Sequence, residues 1–150
     1  MRNIGFVLAL GVLLHSGCEK TPTAAEAFQS RVVTLPGGQK IRAELMIHQT
    51  DLLRGMMFRD SLAEDRGMLF IHNQPGNFPY WMYQVRIPLD IIWMDANRRI
   101  VEISENTPPC TTNANNCPKY GGTEPSMFVL ELAGGMVAKY GLRVGQTLAF

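Results

Sequence analysis

A hairpin pattern between residues 87 and 106 limits the possible folds more than any other feature of the sequence. An apolar run, PLDIIWM (88–94), is separated by the polar stretch DANR (95–98) from a second run, IVEIS (100–104). Two runs of strand length joined by a short polar turn predict an antiparallel hairpin. We expect Asn97 to occupy the left-handed position of this turn, because asparagine tolerates that backbone conformation. The chain therefore has to build a sheet around this hairpin.

The remainder of the chain predicts more short strands and two short helices. Strands are expected at 31–35, 40–48, 67–72, 78–83, 127–132 and 146–150. Helices are expected at 50–59 and at 134–140, where Gly141 ends the second one. Many short strands with few helices predict a mainly β domain, either a sandwich or a small barrel.

The first eighteen residues have the composition of a bacterial signal peptide. A basic start, Met1-Arg2-Asn3, precedes an apolar run at 4–14 that is too short to cross a bilayer comfortably. Ser16-Gly17-Cys18 then resembles a lipobox, although His15 stands where the lipobox prefers leucine. We therefore predict lipidation of Cys18 and anchoring to a membrane of the bacterial cell envelope, on its periplasmic or extracellular face. The alternative is ordinary cleavage after the A-x-A pattern at 25–27.

This interpretation divides the chain into three parts. Residues 1–18 are the predicted signal peptide, residues 19–29 a flexible tether rich in Pro, Thr, Ala and Glu, and residues 30–150 a single β-rich domain. The net charge of the chain is +1, with 14 Lys and Arg against 13 Asp and Glu. Because it has no basic run, we do not expect nucleic acid as a partner.

Two of the three cysteines lie in one polar loop, TPPCTTNANNCPKYGG (107–122). Their spacing fits neither a redox C-x-x-C motif nor a zinc site. In an oxidising envelope compartment we expect Cys110 and Cys117 to form a disulfide that closes this loop. Cys18 is then left to carry the lipid. The sequence indicates no cofactor.

Four segments of the chain resemble one known family in their order and spacing. They are RGMMFRDSL (54–62), RGMLFIH (66–72), YWMYQVRIPLDIIWMD (80–95) and FVLELAGGMVAKYGLRVGQTL (128–148). They are similar to domain of unknown function 192, also called uncharacterised protein family 0127. The resemblance implies a small jelly-roll-like β-sandwich that is often exported or lipid-anchored in bacteria, without an established activity. One departure is that Tyr83-Gln84-Val85 replaces the Lys-Asn-Thr usual in the family.

Two acids interrupt apolar strands. Strand alternation places Asp90 on a face with Ile92 and Met94, and Glu131 on a face with Met127 and Val129. A buried carboxylate without partners is costly, so each acid needs hydrogen bonds, an ion pair or a ligand. We expect Asp90 to pair with Arg59; hydrogen bonds from loop amides or a pair with Arg86 are the alternatives.

The leading hypothesis is an envelope binding or accessory module with a cleft that is both aromatic and acidic. The residues predicted to bind a small molecule or glycan there are Trp81, Met82, Tyr83, Asp90, Glu131 and Arg59. One alternative is a glycosidase-like hydrolase that uses Asp90 and Glu131 as paired carboxylates. Another is a periplasmic Cu(I)-binding protein whose ligands come from thioethers near Trp81, namely Met56, Met57, Met68, Met82 and Met94.

Overall fold

The computed structural model describes residues 29–150. The predicted signal peptide, Cys18 and the tether before residue 29 lie outside them. The eight strands are β1 (Ser30–Thr34), β2 (Lys40–Met46), β3 (Arg66–Gly76), β4 (Tyr80–Trp81), β5 (Leu89–Met94), β6 (Ile100–Thr107), β7 (Lys119–Tyr120) and β8 (Ser126–Ala133). The helices are α1 (Gln49–Arg54) and α2 (Met136–Tyr140), with a 3-10 turn at Ala114–Asn116.

Six of these strands form one sheet in the order β1-β2-β3-β8-β5-β6, and β4 pairs with β7 in a separate two-stranded sheet. All pairs in the large sheet are antiparallel except β2 with β3, which is parallel. The predicted hairpin forms as β5 and β6. The prediction of a mainly β fold with two short helices is thus confirmed, and over the described residues the large sheet does not close into a barrel.

The large sheet has an apolar core on each face. On one face, α2 and the segment after it contribute Val137, Leu142 and Leu148 to a core cluster. On the other face, α1, β4 and β7 cover a second cluster rich in methionine and aromatic side chains. All six residues of β5 are buried, because this central strand has a core on both sides. That double burial explains its nearly continuous apolar sequence.

The predicted alternation of side chains along the central strands is confirmed. Ile91 and Trp93 belong to the methionine-rich cluster, whereas Ile92 and Met94 belong to the opposite cluster. The same holds for β8, where Val129 faces the methionine-rich side and Leu130 and Leu132 face the other.

Several predicted elements are shorter than expected. Helix α1 ends at Arg54, because Gly55 adopts φ 43° and ψ −126°, a conformation that breaks the helix. The aromatic strand expected at 78–83 forms a regular strand only at Tyr80–Trp81, and Tyr83 makes an isolated bridge to Cys110. In the hairpin turn, the left-handed residue is Arg98, with φ 64°, and not Asn97 as predicted. The amide of Asn97 instead donates to Oδ1 of Asp95, which also accepts from the amide of Arg99.

The final predicted strand appears as two isolated bridges. Thr147 bridges to Arg99 beside β6, and Ala149 bridges to Thr34 of β1. Since β1 and β6 are the two edge strands of the large sheet, the segment 146–149 links both edges at one end.

None of the helices within residues 29–150 is long and apolar enough to cross a membrane.

Candidate functional site

A groove of about 510 Å³ opens between α1 and the stretch that joins β3 to β4. Its lining consists of carboxamides, apolar side chains and rings. The lining residues are Gln49, Leu52, Leu53, His72, Asn73, Gln74, Asn77, Phe78, Pro79, Tyr80 and Trp81. Of the residues predicted to bind a ligand, only Trp81 lies in this lining.

The rings of the groove wall hold one another in place. The His72 imidazole stacks on Phe78 with ring centroids 3.6 Å apart, and the Tyr80 hydroxyl lies 3.3 Å from His72 Nε2. The Tyr80 ring also packs edge-on against the buried rings of Phe70 and Trp93. The aromatic wall is therefore anchored in the core beneath the groove.

The groove lining carries no charge at neutral pH. Among the residues that the structure describes, the lining contains no Asp, Glu, Lys or Arg. Burial lowers the pKa of His72, so its imidazole is neutral at pH 7. Burial, together with the nearby Glu131 carboxyl, raises the pKa of Tyr80 well above its ordinary value, so the phenol keeps its proton.

A smaller pocket of about 30 Å³ lies next to the groove and shares Leu52, Leu53, Tyr80 and Trp81 with it. Glu131 lines this pocket, together with rings, the end of α1 and the residues that follow it. The volume holds one or two water-sized groups. Glu131 and Trp81, two of the predicted ligand-binding residues, thus meet at one pocket.

Glu131 is a buried acid whose environment favours the neutral form. Its side chain projects from β8 into the methionine-rich face, between Met68 of β3 and Ile91 of β5. The residue is 5% exposed, and its Oε2 atom has no hydrogen-bond partner among the described residues. Burial raises the pKa of Glu131 from its ordinary 4.5 to about 8, although Arg59 partly opposes the shift.

The predicted ion pair between Asp90 and Arg59 is wrong. Arg59 instead binds Glu44 of β2 in a bidentate manner, with both N–O distances at 2.7 Å. The Asp90 carboxylate accepts two backbone amides, from Asn106 at 2.7 Å and from Val137 at 2.6 Å. The two side chains lie on opposite faces of the large sheet. Asp90 projects toward α2, whereas Arg59 is close enough to Glu131, on the other face, to lower the pKa of that carboxyl.

The two acids of the hydrolase hypothesis lie on opposite faces of the same sheet. Asp90 is paired in register with Leu132, and Ile91 with Glu131, so adjacent positions place the two carboxyls on different sides. A pair of carboxylates that flank one glycosidic bond must share a cleft. Asp90 and Glu131 therefore do not form the arrangement that this hypothesis requires.

The other predicted site residues are dispersed. Met82 is fully buried in the core, and Tyr83 packs against Trp81 with ring centroids 5.3 Å apart. The methionines of the Cu(I) hypothesis are also divided, since Met56, Met68 and Met82 lie in the methionine-rich cluster and Met94 lies in the opposite one. No group of three or more His, Cys, Asp or Glu within residues 29–150 has the arrangement of a metal site.

Sequence reasoning missed His72 and the carboxamides of the groove. Gln74 and Asn77 flank Pro75-Gly76, in the stretch between the strands predicted at 67–72 and 78–83. The signal that could have revealed them is the density of amide side chains next to the aromatic run, because amides beside rings are typical of a polar binding surface.

The predicted disulfide is confirmed and lies behind the groove. Cys110 and Cys117 are bonded, with their Cα atoms 5.7 Å apart. The amide of Cys110 donates to the carbonyl of Met82, and β7, which starts two residues after Cys117, pairs with β4. The stapled loop therefore supports the strand that carries Tyr80 and Trp81.

The comparison with known families agrees with the resemblance seen in the sequence. The model of domain of unknown function 192, described as an uncharacterised ACR family, matches residues 32–150. The chain belongs to this family. No curated protein matches the sequence significantly.

Two solved structures resemble this member of the domain of unknown function 192 family closely. A protein of unknown function from Novosphingobium aromaticivorans is 30% identical, with a TM-score of 0.71, over 87% of this chain and 99% of that one. A protein from Sinorhizobium meliloti, described as a proposed transcription regulator, is 28% identical, with a TM-score of 0.74, over 81% of this chain and 94% of that one.

Proposed function

We propose that the protein is a binding module of the bacterial cell envelope that holds a ligand with an uncharged, hydroxyl-rich body, a glycan or a small molecule derived from one. The observation that carries the proposal is the groove lining, in which carboxamides face aromatic rings and no charged side chain from residues 29–150 takes part.

The chemistry of the lining suits hydroxyl groups. Each carboxamide offers both a donor and an acceptor, which matches the double character of a sugar hydroxyl. Gln49 and Gln74 supply such groups, and Asn77 is held in place by a hydrogen bond to the carbonyl of Thr123. The exposed face of Trp81 offers a surface for the apolar side of a sugar ring. A charged ligand body would lose hydration in this groove without gaining an ionic partner.

The size of the groove agrees with such a ligand. Its volume of about 510 Å³ lies within the range of sites for small molecules, roughly 300 to 1,000 Å³. Lipidation at Cys18 would keep this site at a membrane surface, where envelope glycans are concentrated, and residues 19–29 would serve as the tether.

The test is calorimetric titration with neutral oligosaccharides, followed in parallel by tryptophan fluorescence. Trp81 is 37% exposed and Trp93 is fully buried, so a ligand in the groove changes the signal of Trp81. We expect Trp81→Ala to weaken binding about tenfold, because it removes roughly 1 to 2 kcal/mol of ring contact.

Phe58→Ala is the matched control, since Phe58 is also an exposed aromatic residue but lies outside the groove lining. Equal loss of affinity in both variants, or no binding of any neutral oligosaccharide by the native protein, would contradict the proposal.

A further inference from the structure

We infer that the small pocket beside the groove is a subsite for a primary ammonium group, so that the ligand is an amino sugar or an oligosaccharide that contains one. This inference deepens the proposed function and rests on it for the body of the ligand. The pocket itself can be tested without any sugar.

The pocket combines the two features that recognise an organic cation. Its Glu131 Oε2 is buried and has no hydrogen-bond partner among the described residues. The rings of Phe70, Tyr80 and Trp81 belong to the lining, and aromatic faces attract ammonium groups. Gly55 keeps the approach open, because a Cβ there would lie 3.8 Å from Glu131 Oε2 and 3.1 Å from Phe70 Cζ.

The positive side chains around Glu131 do not neutralise the charge that its carboxylate would carry. Arg59, from the segment after α1, is already compensated by its bidentate contact with Glu44. Arg54 lines the pocket from the exposed end of α1, where solvent screens its charge. Tyr80, from β4, is neutral. An ammonium group in the pocket therefore offsets the charge of the Glu131 carboxylate, which is the acidic group of the lining.

Binding of the cation is coupled to loss of one proton. In the empty pocket, burial keeps Glu131 protonated near neutral pH. When the ammonium group enters, the carboxylate form is favoured, and the carboxyl proton passes to the buffer while the ligand keeps its own protons. Affinity should therefore increase with pH, by up to about tenfold per pH unit, until the pH reaches the pKa of about 8.

The first experiment uses methylammonium chloride as the probe, with the pKa of Glu131 followed by carbon NMR of the labelled carboxyl. We expect methylammonium to lower the pKa of Glu131 and to bind more tightly at pH 7.5 than at pH 6.5, by close to tenfold. Potassium chloride at equal ionic strength controls for screening. An unchanged pKa of Glu131 at saturating methylammonium would overturn the inference.

The second experiment compares two trisaccharides at pH 6.5. One is the trimer of N-acetylglucosamine, and the other carries a free amine on one terminal sugar. We expect the amine to improve affinity at least tenfold in the native protein. Glu131→Gln should remove this preference for the amine. Glu105→Gln, which removes an exposed carboxylate, should leave the preference intact.

The results separate the two proposals. If methylammonium binds at Glu131 but neither trisaccharide perturbs Trp81, the groove proposal fails and the ammonium pocket stands. If both trisaccharides bind equally, or if Glu131→Gln retains the preference for the amine, the ammonium pocket fails and the groove proposal stands.

Discussion

At the scale of single residues, two buried acids in neighbouring strands are stabilised in different ways. Asp90 receives two short hydrogen bonds from backbone amides, which suit the ionised carboxylate. Glu131 has an oxygen without a hydrogen-bond partner within residues 29–150 and is held in the protonated form by burial. Asp90 therefore stabilises the fold, and Glu131 is available to a ligand.

Asp90→Asn should destabilise the protein by about 2 to 3 kcal/mol. One oxygen becomes an NH2 group, which cannot accept the amide of Asn106 or Val137, and a buried donor is left unpaired. Urea denaturation at pH 7 measures the loss. Asp60→Asn serves as control, because Asp60 pairs with Arg86 on the exposed surface and should contribute less than about 1 kcal/mol. A loss for Asp90→Asn no larger than that of the control would show that the two amide bonds contribute little.

Glu131 should make the stability of the native protein decrease as the pH rises from about 4.5 to about 8. Its pKa is raised in the folded state, so over this range the unfolded chain releases a proton that the folded chain retains. The accumulated loss is on the order of 5 kcal/mol, at about 1.4 kcal/mol per pH unit. Below pH 4.5 the full stabilisation from Glu131 is present, and above pH 8 the free energy of unfolding does not fall further because of this residue.

Glu131→Gln should remove this decline, because the glutamine does not titrate. The measurement is the free energy of unfolding in urea at several pH values, with Glu105→Gln as the matched surface change. A decline of the same size in the Glu131→Gln protein would assign the pH dependence to other groups.

At the scale of elements, the groove depends on a short strand that has little support of its own. Strand β4 is two residues long and pairs only with β7. A Cβ at Gly122, which has φ 72°, would come within 2.4 Å of the Pro79 nitrogen, so the chain after β7 packs closely on the segment that enters β4. Since the disulfide loop leads directly into β7, its closure restricts the movement of the groove wall.

The double variant Cys110→Ala, Cys117→Ala should fold, melt at a lower temperature and bind neutral oligosaccharides more weakly. The bridge closes a small loop, so its loss costs roughly 2 to 3 kcal/mol and does not affect the core of the large sheet. Differential scanning calorimetry and the titration described for Trp81 provide the two readouts. Reduction of the native protein with dithiothreitol should reproduce both effects, and an unchanged affinity in the variant would separate the loop from the groove.

The sequence could predict the parts of the fold that depend on local pattern. The β5–β6 hairpin, the antiparallel pairing of the neighbouring strands β1 and β2, and the faces of β5 and β8 follow from alternation and turn residues. It could not predict the parallel pairing of β2 with β3 or the pairing of β4 with β7, because these contacts join segments whose local patterns do not specify a partner.

The candidate site was predictable only in part, for the same reason. Trp81 and Glu131 stand out in the sequence as an aromatic residue and an acid within apolar strands, and they meet at one pocket. The two partners of Asp90 could not be predicted, because they are backbone amides, which nearly every residue type supplies. Gln84 has φ 57°, a conformation that asparagine, the residue that the resemblance implies here, tolerates better than glutamine.

At the scale of the whole molecule, lipidation at Cys18, which the sequence predicts, would hold the groove at a membrane surface. Cys18→Ser should move the protein from the membrane fraction to the soluble fraction of a bacterial host, because a serine cannot carry the thioether-linked lipid. Fractionation followed by immunoblotting measures the change, and Cys110→Ala, Cys117→Ala controls for general effects of losing cysteine. A Cys18→Ser protein that remains with the membranes, or a mature N-terminus at Phe28, would favour the alternative cleavage site.

The bridges made by Thr147 and Ala149 also protect the protein against aggregation through its edge strands. Unpaired edge strands can recruit strands from other molecules and start aggregation. Here the segment 146–149 bridges to Thr34 of β1 at one edge and to Arg99, next to β6, at the other edge. Phe150 secures it by packing on Phe128 and beneath Arg98. A chain in which this segment is undocked leaves both edges open at once, so we expect it to be less soluble than the folded protein.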